Sequence, residues 1–145
     1  MKYFAVIDTN VIVSSMLKKE SIPGQIMDYV DKGIIVPLVN EEILEEYVEV
    51  ITRNKFNFEK AAVELVMNGI EKRAIFVERE KTLEELIDKD NVVFFEIVLS
   101  ARSTMDAYLV TGNMKHYPIR SYVVTPSQMI EIIEKDSIKE NPNNL

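Results

Sequence analysis

The sequence predicts an α/β fold of three layers, α/β/α, built on a central parallel sheet of about five strands. Three observations carry that prediction. Short, apolar, β-rich runs alternate with longer segments of helical periodicity along the chain. Glycine, proline and capping residues fall between them, where such elements must stop and start. No internal repeat and no linker divides the chain, whose 145 residues suit one core of ordinary size. That domain is set at residues 1–135, and the polar, Asn-rich stretch 136–145 reads as a disordered tail.

The elements follow in order. "YFAVI" (3–7) is a buried strand, and a short helix runs from Val11 to about Leu17 with Thr9 or Asn10 as its cap. Ser21 or Ile22 leads through Pro23 into a second helix ending near Gly33. "IIVPLV" (34–39) gives a strand of about four residues, with Pro37 near its end. Asn40 caps "EEILEEYVEVITR", whose first turn is acidic as a helix N-terminus prefers. "FEKAAVELVMNGIEKRA" is helical and "IFV" (75–77) a short strand, followed by a polar, acidic stretch at 78–91. "VVFFEIVLSARS" is a helix suited to packing on a sheet, "AYLVTG" (107–112) and "SYVVT" (121–125) are strands, and Pro126 opens the last helix.

Composition sets limits. No apolar run approaches the roughly 20 residues that a membrane span needs, and "MKYFAVI" reads as a first strand rather than a signal peptide. There are no cysteines, which excludes disulfides and thiolate metal sites and makes a cytoplasmic location the default. The net charge of −7 argues mildly against nucleic acid as a partner. A nuclease that gathers carboxylates around a cation is acidic for its own reasons, so that class stays open.

Ligands of open parallel sheets sit beyond the carboxyl ends of the strands. Asp8 ends the first strand, where a carboxylate is costly unless something offsets its charge. A cation is one such partner; a turn or cap is the competing role. Thr111, Gly112 and Asn113 end another strand in the same way, although Gly-Asn is also ordinary turn chemistry. In the helix after Asn40, Glu42, Glu45 and Glu49 face away from the apolar arc, while Glu41 and Glu46 border it, and periodicity does not choose between those two. Asp88, Asp90 and Asn91 precede a helix, a position that suits caps and cation ligands alike. The single histidine, His116, has no nucleophile motif to serve and reads as a packing residue. With four glycines in all, there is no phosphate-binding loop.

Four segments in order, "VIDTNVIVS", "NEEILEEYVEVITRNKF", "DKDNVVFFEIVLSAR" and "AYLVTGNMKHYP…VVTPSQMIEII", resemble the PIN-domain family across residues 2–134. Within it they look like the branch of toxin components of toxin–antitoxin pairs. The resemblance implies an endoribonuclease dependent on Mg²⁺ or Mn²⁺, with three or four acids at one end of the sheet. Asp8 would be the first, supported by Thr9 and Asn10, and Glu46 the helical acid. The third position falls at Asn91, with Asp90 and Asp88 beside it, and the fourth at Asn113, where many relatives have aspartate and some asparagine. An amide offers a cation one neutral oxygen and no charge. The expected ligands are therefore Asp8, Glu46, Asp90, Asn91 and Asn113, with Asp8, Glu46 and Asp90 catalytic and Asp88 and Thr111 supporting. Lys115 is the best placed of several cations to hold RNA. A protein antitoxin and a homodimer are implied partners.

Other classes compete. A domain weakened by Asn91 and Asn113 would bind RNA or a protein without cutting it. An aspartate-nucleophile phosphatase needs a second acid two residues after Asp8, where Asn10 stands, and a phospho-receiver domain needs paired acids at the first strand's end.

Overall fold

The computed structural model describes residues 1–80 and 91–140. The elements are β1 (Tyr3–Ile7), α1 (Thr9–Leu17), α2 (Ile22–Asp31), β2 (Ile35–Val39), α3 (Glu41–Ile51), α4 (Lys60–Arg73), β3 (Ile75–Phe76), α5 (Val92–Ala101), β4 (Ala107–Val110), a 3-10 turn (Met114–His116), β5 (Val123–Val124) and α6 (Pro126–Glu140). The five strands form one parallel sheet in the order β3-β2-β1-β4-β5, flanked by helices in an α/β/α arrangement. Ala5, Val6, Ile7, Leu38, Val39, Leu109 and Val110 are fully buried, as strands covered on both faces must be.

The strand order positions the site. From β1 the chain moves outward to β2 and β3, then returns past its start to β4 on the other side of β1. The boundary between β1 and β4 is thus the point where winding reverses, and crevices of open α/β sheets form there. Register pairs Ile7 with Val110, so the residues that follow, Asp8 and Thr111, emerge side by side.

Several boundaries differ from expectation for local reasons. α1 begins at Thr9, two residues early, because Asp8 itself is the N-cap and its carbonyl accepts from Val11 N at 3.0 Å. β2 continues through Pro37 to Val39. Val39 O accepts from Val77 N, so alternate residues from Ile35 face β3, and pairing with β3 starts only at Leu38. The missing N–H of Pro37 therefore costs no ladder bond. β4 and β5 are shorter than read, at four and two residues. Helix α6 runs through Glu140, which corrects the reading of 136–140 as a loose tail: Ile133 is buried and Tyr3 Oη donates to Asp136 Oδ2 at 2.9 Å, pinning that turn to β1.

Candidate active site at the sheet switch point

The first polar residue after β1 is held from all sides. Asp8 N donates to Val110 O at 2.9 Å, extending the β1–β4 ladder by one bond, and the residue is 6% exposed. Thr111 Oγ1 donates to Asp8 Oδ2 at 2.7 Å and Tyr117 Oη donates to the same oxygen at 3.2 Å. Thr111 is itself fully buried and fixed by N–H donation to Val124 O at 2.9 Å. Its hydroxyl accepts from Asn113 N at 3.0 Å, so its own proton is directed at Asp8.

Burial raises the Asp8 pKa above the ordinary carboxyl value, because removing an ion from water disfavours the charged form. The hydroxyls of Thr111 and Tyr117 and the backbone N–H groups of Asn10 and Thr9 pull it back without cancelling that effect. Asp8 is the N-cap of α1, and the N–H groups of Thr9 and Asn10 beside its carboxylate give helix capping a part in its placement. Beside it, Thr9 Oγ1 is buried and has no hydrogen-bond partner among the described residues. Such an orphan is costly in a dry interior, and a bound water or ion would satisfy it.

Tyr47 closes the floor. It lies on the buried stripe Ile43, Tyr47 and Ile51 of α3, and its hydroxyl donates to Ile7 O, one residue before Asp8. Burial, then the charge of Asp8, raise its pKa, so the phenol keeps its proton. Glu46, next to it, is half-buried, whereas Glu41 is exposed. Of the two glutamates that periodicity left open, the structure sends Glu41 to solvent.

On the rim, Asn10 lies across Gly112, where an added Cβ would stand 3.7 Å from Asn10 Oδ1. His116 is not a packing residue remote from the site. Asn91 Nδ2 lies 3.0 Å from its Nδ1, and Asn113 Nδ2 lies 3.1 Å from its Nε2 and 3.5 Å from its Nδ1. A hydrogen-bonded chain therefore runs from Asp8 through Thr111 and Asn113 to His116 and Asn91. Lys115 is exposed beside it. Asp88 and Asp90 lie outside the described residues. Sequence reasoning missed Tyr47, Tyr117 and His116; only a polar-tipped aromatic on the apolar arc of α3 hinted at the first.

The oxygen donors fit a hard divalent cation in kind: one carboxylate, hydroxyls and amides, with no sulfur. In charge the fit is thinner. Among the described residues no three His, Asp or Glu side chains group together. Elsewhere, Arg79 bridges buried Glu96 of α5, at 2.7 Å, and Glu42 in the first turn of α3, at 2.6 Å, tying two helices together. Glu42 is thus not simply solvated. Among the described residues no helix is long and apolar enough to cross a membrane.

A family model described as PIN domain matches residues 5–115. No curated protein and no solved structure shows a significant match to the chain.

Proposed function

This chain belongs to the PIN-domain family, a nuclease-type fold, and on that premise we propose that it is a Mg²⁺- or Mn²⁺-dependent endoribonuclease, the toxin of a toxin–antitoxin pair. The observation that carries the reading is Asp8. A carboxylate is buried at the switch point against its own desolvation cost, with two neutral hydroxyls on one oxygen and the orphan hydroxyl of Thr9 beside it. Capping α1 does not require such burial, and a cation would supply the charge that burial leaves unbalanced.

Asp8 would hold the cation, with Glu46 and Asp90 adding charge and Asn91 and Asn113 neutral oxygens. When bound, the cation supplies an acidified water and offsets charge at the phosphodiester. In the hydrolysis so supported, the water oxygen would bond to phosphorus and give up a proton while the P–O bond to the leaving nucleotide breaks and that oxygen takes one up. The chain's own groups position and exclude. Thr111 and Tyr117 fix the Asp8 carboxylate, Tyr47 anchors the strand end beneath it, and Lys115 meets the RNA backbone. The antitoxin and the homodimer belong to the same proposal and are supported by the motif likeness alone, and the cytoplasmic location by the absence of cysteines.

Cleavage of labelled single-stranded RNA with Mn²⁺, Mg²⁺ or EDTA, beside Asp8→Asn, tests it. Cutting that needs the metal and Asp8 upholds the reading. RNA binding without cutting favours the second reading, a binding-only domain, for which the amides at Asn91 and Asn113 speak.

A further inference from the structure

A cleft of about 590 Å³ opens between α1, α2 and α4. It lies at the end of α1, by Ser15, Met16 and Lys19, whereas Asp8 precedes the start of that helix. Its lining is largely apolar: Met16, Met27, Phe58 and Val66 are half-buried, and Leu65 is 76% exposed. Helix α4 is built for two contacts. Met67 and Ile70 are its buried core residues, while Ala62, Leu65 and Gly69 recur at the i, i+3, i+7 spacing of one face and line the cleft. Leu17 and Ile22, both exposed, flank the α1–α2 turn that contributes Lys19. An open apolar face rimmed by charges marks an interaction surface.

The rim charges indicate what covers it. Asp28 and Asp31 line the cleft from the last turn of α2, and Lys72 and Arg73 from the last turn of α4. The ion pairs among the described residues are Arg53–Glu49, Arg79–Glu42, Arg79–Glu96 and Arg102–Asp106, so none of the four is paired there. For the aspartates the position is unfavourable, because the end of a helix carries partial negative charge and the last turn of α2 holds no basic residue. The chain carries a net charge of −7, so two copies repel at most places on their surfaces. At this cleft the balance differs: Lys19, Lys72 and Arg73 stand against Asp28 and Asp31. Acids on one wall and bases on the other, around an apolar middle, make the patch complementary to itself. A two-fold axis through such a patch satisfies both copies at once, which is the isologous form of a homodimer.

We propose that the cleft between α1, α2 and α4 is the surface through which two copies of this chain pair, with Leu65 of each seated in the other's cleft and Lys72 and Arg73 of each facing Asp28 and Asp31 of the other. This rests on the homodimer proposed above, to which it gives a surface, and is independent of the nuclease reading.

Sedimentation equilibrium of the full chain reads the dimer dissociation constant against a monomer of 16.7 kDa. Leu65→Glu sets a charge against the apolar lining and should raise that constant at least about tenfold, the scale of an anchor residue. Exposure of Leu65 spares the fold, and an unchanged far-UV circular dichroism spectrum checks this for every variant. Lys72→Glu/Arg73→Glu sets acids on both walls, and Asp28→Lys/Asp31→Lys sets bases on both. Each should be monomeric alone where the wild type is dimeric, since like charges meet across the axis. Mixed, the two should form a one-to-one heterodimer, because unlike rims then meet. A wild-type chain that stays monomeric up to about 1 mM overturns the homodimer and its surface together. A wild-type dimer that these substitutions leave intact, or charge variants whose mixture does not pair, overturns the surface alone and leaves the cleft to a different protein.

Discussion

Replacing Asp8 by asparagine separates what this carboxylate does for the fold from what it does for chemistry. Asparagine keeps an acceptor for Thr111 and Tyr117 and removes the charge. At the buried site, desolvation outweighs the four groups that favour the ion, so the charged form is held at a net cost. The substitution should therefore stabilise the metal-free protein, within the range of about 0.5–2 kcal/mol typical when a functional residue is relieved of strain. For a domain of this size that is a rise of about 2–6 °C in melting temperature. The pH dependence fixes the sign. The native pKa is raised, so between the ordinary carboxyl value and that raised value the folded state holds a proton the unfolded chain has lost. Wild-type stability falls as pH climbs through that window and is level above it. The variant lacks that slope, so the gap between the two should be near its smallest at pH 3 to 4 and widest at neutral pH. Calorimetry of both proteins in EDTA across that range measures it. If Asp8→Asn lowers the melting temperature at pH 7, the carboxylate is a structural charge and the reasoning from burial to cation binding fails.

Further outcomes follow at this site and at the Arg79 bridge. Mn²⁺ should raise the melting temperature of the wild-type protein, by about 2.7 kcal/mol of stability at a hundredfold excess over its dissociation constant, and leave Asp8→Asn unmoved. Its affinity, measured by titration calorimetry, should increase with pH as the raised Asp8 pKa is passed, since proton and cation compete for one carboxylate. Tyr47→Phe takes the donor from a buried carbonyl at Ile7 and should cost about 1–3 kcal/mol in urea unfolding, with an unchanged m-value. Arg79→Met deprives Glu96, whose side chain is 3% exposed, of a charged partner; with Arg79 itself 31% exposed, water softens the loss to about 1–3 kcal/mol. Glu42→Gln, at the 56% exposed end of the same bridge, should cost no more than about 0.5 kcal/mol in the same melts.

What the sequence made legible were the features written in consecutive residues. "FAVID" announces a buried strand that stops on a carboxylate, and "YLVTG" a second that stops on a hydroxyl; the parallel sheet then places both at one edge. What it concealed depends on contacts between distant segments. Tyr117 reaches Asp8 across 109 positions and Tyr47 reaches Ile7 across 40, and no periodicity says where a phenol on a buried stripe will aim its oxygen. His116 looked like packing because its partners are amides, one of them 25 positions away. The end of α6 was misread for a similar reason: a polar tail composition was overridden by one long-range bond, Tyr3 to Asp136.

The amides and the buried aspartate belong to one physical argument. Carboxylates crowded without a cation repel one another, and each added acid would raise the cost already visible at Asp8. Neutral oxygens avoid that repulsion in the metal-free protein. Hydroxyl donors fix the direction of the Asp8 carboxylate without adding charge. A site built this way carries one buried carboxylate, Asp8, among the described residues. Under the proposed cation reading, affinity would then depend on the further acids that the motif likeness assigns, Glu46 and Asp90.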